Sequence, residues 1–82
     1  MQEISFANRL KLIREACGLN QGEFVALVNA RSTEHLSQSK LSRLESGRQL
    51  GTFNDAMLFA RFDPLERGRA WLAWGADGED ED

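Results

Sequence analysis

Between Gln38 and Arg48 the chain concentrates side chains that suit one chemistry: Gln38, Ser39, Lys40, Ser42, Arg43 and Arg48. Glutamine and arginine carry paired hydrogen-bonding groups that match the edges of adenine and guanine. Lysine, arginine and serine bond phosphate oxygens. Leu41 and Leu44, three apart, form the buried stripe of a short helix, which leaves Gln38, Ser39, Lys40, Ser42 and Arg43 facing outward. Gln38, Ser39 and Arg43 are therefore candidate base readers, and Lys40, Ser42 and Arg48 candidate phosphate contacts. The bland alternative is an ordinary solvated helix face, so the flanking signals decide how much weight the set carries.

Those signals define a pair of helices. Ser37 is a good N-cap, because its hydroxyl can accept from the unpaired backbone N–H groups of a first turn. Leu36 and Leu41 stand at the positions of a hydrophobic staple, and Gly47 can take the left-handed conformation that stops a helix. Upstream, Asn20 with Glu23 reads as a capping box, and Leu19 with Phe24 as a second staple. Two short helices in succession, each with its own cap and staple, predict a helix-turn-helix in which the first braces the second against a groove.

Leu19-Asn20-Gln21 followed by Ser37 through Arg48 resembles the helix-turn-helix domain of phage repressors, Cro proteins and XRE-like regulators. The matching pieces are a Leu-polar-Gln opening, a Ser-x-Ser-x-aliphatic-Ser-Arg-aliphatic-Glu core and a polar-Gly-basic exit. The resemblance covers roughly Phe6 to Phe62 and implies an all-α, five-helix, lambda-repressor-like domain that reads double-stranded DNA. It also implies that Gln21 contacts a backbone phosphate and supports Gln38, and that Glu45 is structural rather than catalytic. Two positions depart from the family pattern. Six residues, Ala30 to His35, lie between Asn29, where the family turns, and Leu36, and Val25 stands where the family prefers alanine.

Composition bounds the remaining readings. Eighty-two residues are expected to make one domain with a small single core, too small for a sensor or catalytic domain beside it. Aromatics are few, tyrosine is absent and there is one proline, all favouring helices. No apolar run approaches the ~20 residues that span a bilayer, and no signal-peptide pattern opens the chain. A single cysteine excludes an internal disulfide and suits a reducing cytoplasm. One His and one Cys cannot make a structural zinc site, so neither metal nor cofactor is expected. Nor is enzymatic activity, because no group stands ready to orient Cys17 or His35 and no glycine-rich phosphate loop follows a strand.

The net charge of −3 is unevenly placed: Asp77, Glu79, Asp80, Glu81 and Asp82 are all acidic, and without them the balance is +2. Residues 1–75 read as the domain and 76–82 as a disordered acidic tail. A mildly basic body of this kind can still attract phosphate, which responds to local potential rather than to the total.

The helical pattern predicts five segments. The first runs from about Ser5 to Cys17, with Phe6, Leu10, Ile13 and Cys17 inward. The second and third are the pair described above. The fourth starts after Thr52, with Phe53, Met57 and Ala60 on the core side. The fifth opens at Asp63-Pro64-Leu65-Glu66, carries Leu65, Trp71, Leu72 and Trp74, and stops at Gly75. Arg9, Lys11 and Arg14 read as solvated surface, Cys17 as a buried small apolar residue and His35 as a loop residue. Trp71 and Trp74 admit two readings, as core or, with Leu72, as a dimer contact.

Taken together, these features predict a cytoplasmic, sequence-specific DNA-binding regulator of phage or mobile-element repressor type, acting as a dimer on a palindromic operator. The rival is a helix-turn-helix scaffold used to bind RNA polymerase, a toxin or another regulator, favoured by the six-residue insertion and the low body charge.

Overall fold

The computed structural model describes residues 5–75, so the reading of an acidic tail lies outside the described residues. Five helices follow one another: α1 (Phe6–Ala16), α2 (Gln21–Arg31), α3 (Gln38–Ser46), α4 (Phe53–Ala60) and α5 (Arg69–Trp74). Among the described residues there is no strand.

Local signals start the first three helices as expected. Ser5 accepts from the Asn8 amide at 3.2 Å. Asn20 and Glu23 form the reciprocal box, at 2.8 and 2.9 Å. Ser37 accepts from the Lys40 amide at 3.1 Å, and Gly47 closes α3 in the left-handed conformation. Both staples are built into the core: Leu36, Leu41 and Phe24 are buried, and Leu19 packs against them.

The insertion is absorbed in two steps. Ala30 and Arg31 prolong α2, so the helix does not turn at Asn29. The remaining loop is then drawn closed by the Asn29 side chain, which donates to the Leu36 carbonyl at 2.9 Å and accepts from the Leu36 amide at 2.8 Å. That clamp fixes where α3 begins. Val25 is half-buried at the edge of the core.

The last two helices depart from expectation. In α4 the inward face is Ala56 and Phe59, while Phe53 and Met57 are exposed and Ala60 is only half-buried. The helix is apolar nearly all round, so periodicity could not choose a face. The choice is made by Phe59, which stacks on Phe24 at 6.1 Å, and by Ala56, small enough for close approach. The second correction concerns α5, which starts at Arg69 rather than at Pro64. Asp63 does bind the Leu65 and Arg67 amides, each at 3.0 Å, but Glu66 takes a left-handed conformation (φ 53°) and the helix cannot propagate through it. Leu65 is left exposed.

Arg9, expected on the solvated surface, is buried. Its Nε donates to the Leu72 carbonyl at 2.9 Å and its Nη2 to that of Ala73 at 3.4 Å, serving carbonyls at the C-terminal end of α5. This ties α5 to α1 and brings Leu72 into the core with Leu10 and Ile13.

Candidate nucleic-acid interface

The orientation of α3 is set from behind by Arg14 and Glu45. Arg14, also expected on the surface, forms a bidentate pair with Glu45, at 2.8 and 3.1 Å, and donates to the Leu19 carbonyl at 2.9 Å. The Glu45 hydrogen bond holds the Arg14 guanidinium above its ordinary pKa, against the opposing effect of burial. Gln21 Nε2 donates to Glu45 Oε1 at 3.1 Å. One carboxylate thus joins α1, the start of α2 and α3. Glu45 is structural, as the resemblance implies, and its charge is balanced by Arg14.

In front of this support, Gln21, Gln38, Ser39, Ser42, Arg43 and Arg48 line one open groove of about 550 Å³. The three candidate base readers and three of the four candidate phosphate contacts therefore share a single surface. Gln21 spends one amide hydrogen on Glu45, and the backbone of α2 at Gly22 lies beside Gln38: a Cβ there would stand 3.6 Å from Gln38 Oε1. A second recess, lined by Lys11, Arg14, Gln21, Ser42, Glu45 and Ser46, adjoins the groove at Gln21 and Ser42. Among the described residues Lys11, Arg43 and Arg48 enter no ion pair, so their charges remain available to an anion.

Lys40 is placed differently. It is half-buried, and its ammonium pairs with Asp55 Oδ1 at 3.3 Å on the side of α3 that meets α4. Asp55 also caps α4 by accepting from the Thr52 amide at 2.9 Å. Nothing in the local sequence around Lys40 signals this partner, which is supplied by another helix.

Sequence reasoning missed Gln49, whose Oε1 accepts from Arg43 Nε at 3.0 Å. Its only signal was its place two residues after the helix-ending Gly47, where the chain doubles back.

The candidate dimer contact divides in three. Leu72 has no exposed surface, which corrects its assignment to an interface: it belongs to the protomer core. Trp71 is half-buried, with the Arg67 guanidinium 3.9 Å from its ring centre. Trp74 is 64% exposed and stacks at 5.7 Å on Phe53, itself 47% exposed. Cys17 donates to the Phe62 carbonyl at 3.3 Å, and burial with the nearby Asp63 carboxylate raises its thiol pKa. It is a poor nucleophile there.

A family model for a helix-turn-helix domain matches residues 5–62, and the chain belongs to that family. No curated protein and no solved structure gives a significant match. No helix among the described residues is long and apolar enough to cross a membrane.

Proposed function

We propose that this helix-turn-helix protein is a sequence-specific transcriptional regulator of phage or mobile-element repressor type. It works in the cytoplasm as a homodimer on a palindromic operator. The observation that carries the reading is the groove on α3, where Gln38, Ser39 and Arg43 stand beside Gln21, Ser42 and Arg48 with no net acidic charge among them. In this reading α3 enters the major groove, its Gln38, Ser39 and Arg43 meeting base edges. Gln21, Ser42 and Arg48 take phosphates on either side. Lys40 serves at the rim, where a phosphate has to compete with Asp55 for its ammonium.

Dimerisation follows from affinity. One short helix with a few phosphate contacts binds weakly, and two half-sites about one helical turn (~10 base pairs) apart multiply the effect. The exposed Phe53–Trp74 stack supports a contact between copies, since aromatic anchors commonly dominate interface energy. Selection of duplexes from a random library, followed by fluorescence anisotropy with heparin as competitor, tests the reading. An enriched imperfect palindrome that resists heparin is the expected result, and no enrichment refutes it.

The same aromatic pair favours a second reading, a scaffold that docks RNA polymerase, a toxin or another regulator. That reading gains if duplex selection yields nothing and the chain captures such a partner through Trp74.

A further inference from the structure

Gly47, in the left-handed conformation (φ 81°), turns the chain back along the last turn of α3. The Arg48 and Gln49 amides then both donate to the Arg43 carbonyl, at 3.0 and 3.2 Å. Gln49 is thereby set beside the residue whose backbone it binds, and its side chain completes the link by accepting from Arg43 Nε at 3.0 Å. Gln49 is half-buried and helps to line an apolar recess with Phe6, Ala7, Leu44 and Leu50. Packing holds its stem there while its amide reaches out to Arg43.

We infer that Gln49 is a specificity-determining positioning residue, which by holding Arg43 Nε leaves only the Nη1–Nη2 edge of that guanidinium for a base. The inference rests on the DNA-binding reading above. A guanidinium can meet the O6 and N7 acceptors of guanine through Nε with one Nη, or through its two Nη groups. The bond to Gln49 occupies the Nε donor, so the first mode is closed and the end-on mode stands alone. The same bond orders a long, exposed side chain before DNA arrives, which reduces the freedom lost on binding. Both effects favour one base at one position. Gln49 carries no charge, so it adds nothing to the phosphate attraction that supports binding to any sequence.

The test uses the full chain and the duplex it selects from a random library. Gln49→Met keeps a stem of similar length in the recess and removes the acceptor. Affinities are measured for the selected duplex, for duplexes altered at the guanine that Arg43→Ala ceases to distinguish, and for random DNA. Gln49→Met is expected to lower discrimination at that guanine about fivefold, the scale of ordering one long side chain at an interface. Affinity for random DNA and the melting temperature should hold, and adding Gln49→Met to Arg43→Ala should change nothing further.

Unchanged discrimination in Gln49→Met, beside a collapse in Arg43→Ala, overturns the positioning role and leaves the DNA reading intact. Equal losses on all duplexes, with a lowered melting temperature, overturn it in favour of a purely structural turn. If Arg43→Ala itself leaves discrimination unchanged, base reading by Arg43 fails, and this inference fails with it.

Discussion

Arg14 on α1 and Glu45 on α3 face each other through two hydrogen bonds, one to each carboxylate oxygen, with 13% and 5% of their side chains exposed. The pair fixes the angle at which α3 leans on α1. It also neutralises Glu45, the carboxylate that Gln21 shares behind the groove. Removing one partner of such a buried pair is costlier than removing both, because the charge left behind has no counterpart.

Glu45→Ala is accordingly expected to destabilise the domain by about 3–5 kcal/mol, and Arg14→Met/Glu45→Met by clearly less. Urea unfolding of the two variants beside the parent measures this. A double variant as unstable as Glu45→Ala would mean that packing, not the stranded charge, sets the cost.

Asp63 gives a pH dependence with a definite sign. Burial acts to raise its pKa, but hydrogen bonds from the Arg67 guanidinium and from the Leu65 and Arg67 amides, together with the Arg67 charge, outweigh burial and hold it below the ordinary 3.8. The unfolded chain therefore takes up this proton first as pH falls. The contribution to stability is whole above the unfolded value and is lost as pH drops through the lower, folded one. Asp63→Asn should be less stable than the parent at neutral pH, and the two melting curves should converge in acid. A constant offset throughout the acid range would show that Asp63 does not govern the acid limb.

The parts of the fold that were legible are those fixed within a turn or two of chain. Ser5, Asn20, Ser37 and Thr52 each cap within three residues, and Gly47 ends α3 by its own conformational freedom. What escaped depends on other helices. Arg9 and Arg14 look like solvent-facing basic residues until α5 brings its carbonyls and α3 its carboxylate. Asp63 reads as a helix cap, and does bind two amides, but Arg67 recruits it into a separate turn and Glu66 breaks the continuation. The groove was legible because four of its residues lie on one face of α3, joined by Gln21 at the start of α2 and by Arg48 just past the end of α3. The Lys40–Asp55 and Arg43–Gln49 links were not, since each needs a neighbour whose placement only the fold supplies.

Base reading and phosphate contact separate experimentally. Arg43→Ala should cost about 1–3 kcal/mol on the selected duplex and relax preference at one base pair, with little loss on random DNA. If both duplexes weaken equally, Arg43 contacts backbone only.

Arg48 should behave in the opposite way. It lines the groove without an ion pair among the described residues, so Arg48→Ala is expected to weaken all sequences alike. The slope of log affinity against log salt should become shallower by about one. Lys40→Ala should change that slope less, because Asp55 already holds the ammonium. A larger change for Lys40 than for Arg48 would place the phosphate track along the α4 side of α3.

Trp74 and Leu72 stand two residues apart on α5 and should respond to truncation in different ways. Leu72 is fully buried, so Leu72→Ala should cost about 2–5 kcal/mol of protomer stability through lost contact and a cavity. Trp74 is mostly exposed and touches Phe53 from outside, so Trp74→Ala removes little from the protomer core. If the stack is the contact between copies, Trp74→Ala sediments as a monomer, unfolds in urea with the slope of a correctly folded domain, and loses affinity for the full palindrome while keeping its half-site preference. Sedimentation velocity and urea unfolding on the same sample decide the matter. A variant that stays dimeric, with its protomer stability sharply reduced, would place Trp74 in the core and move the interface elsewhere.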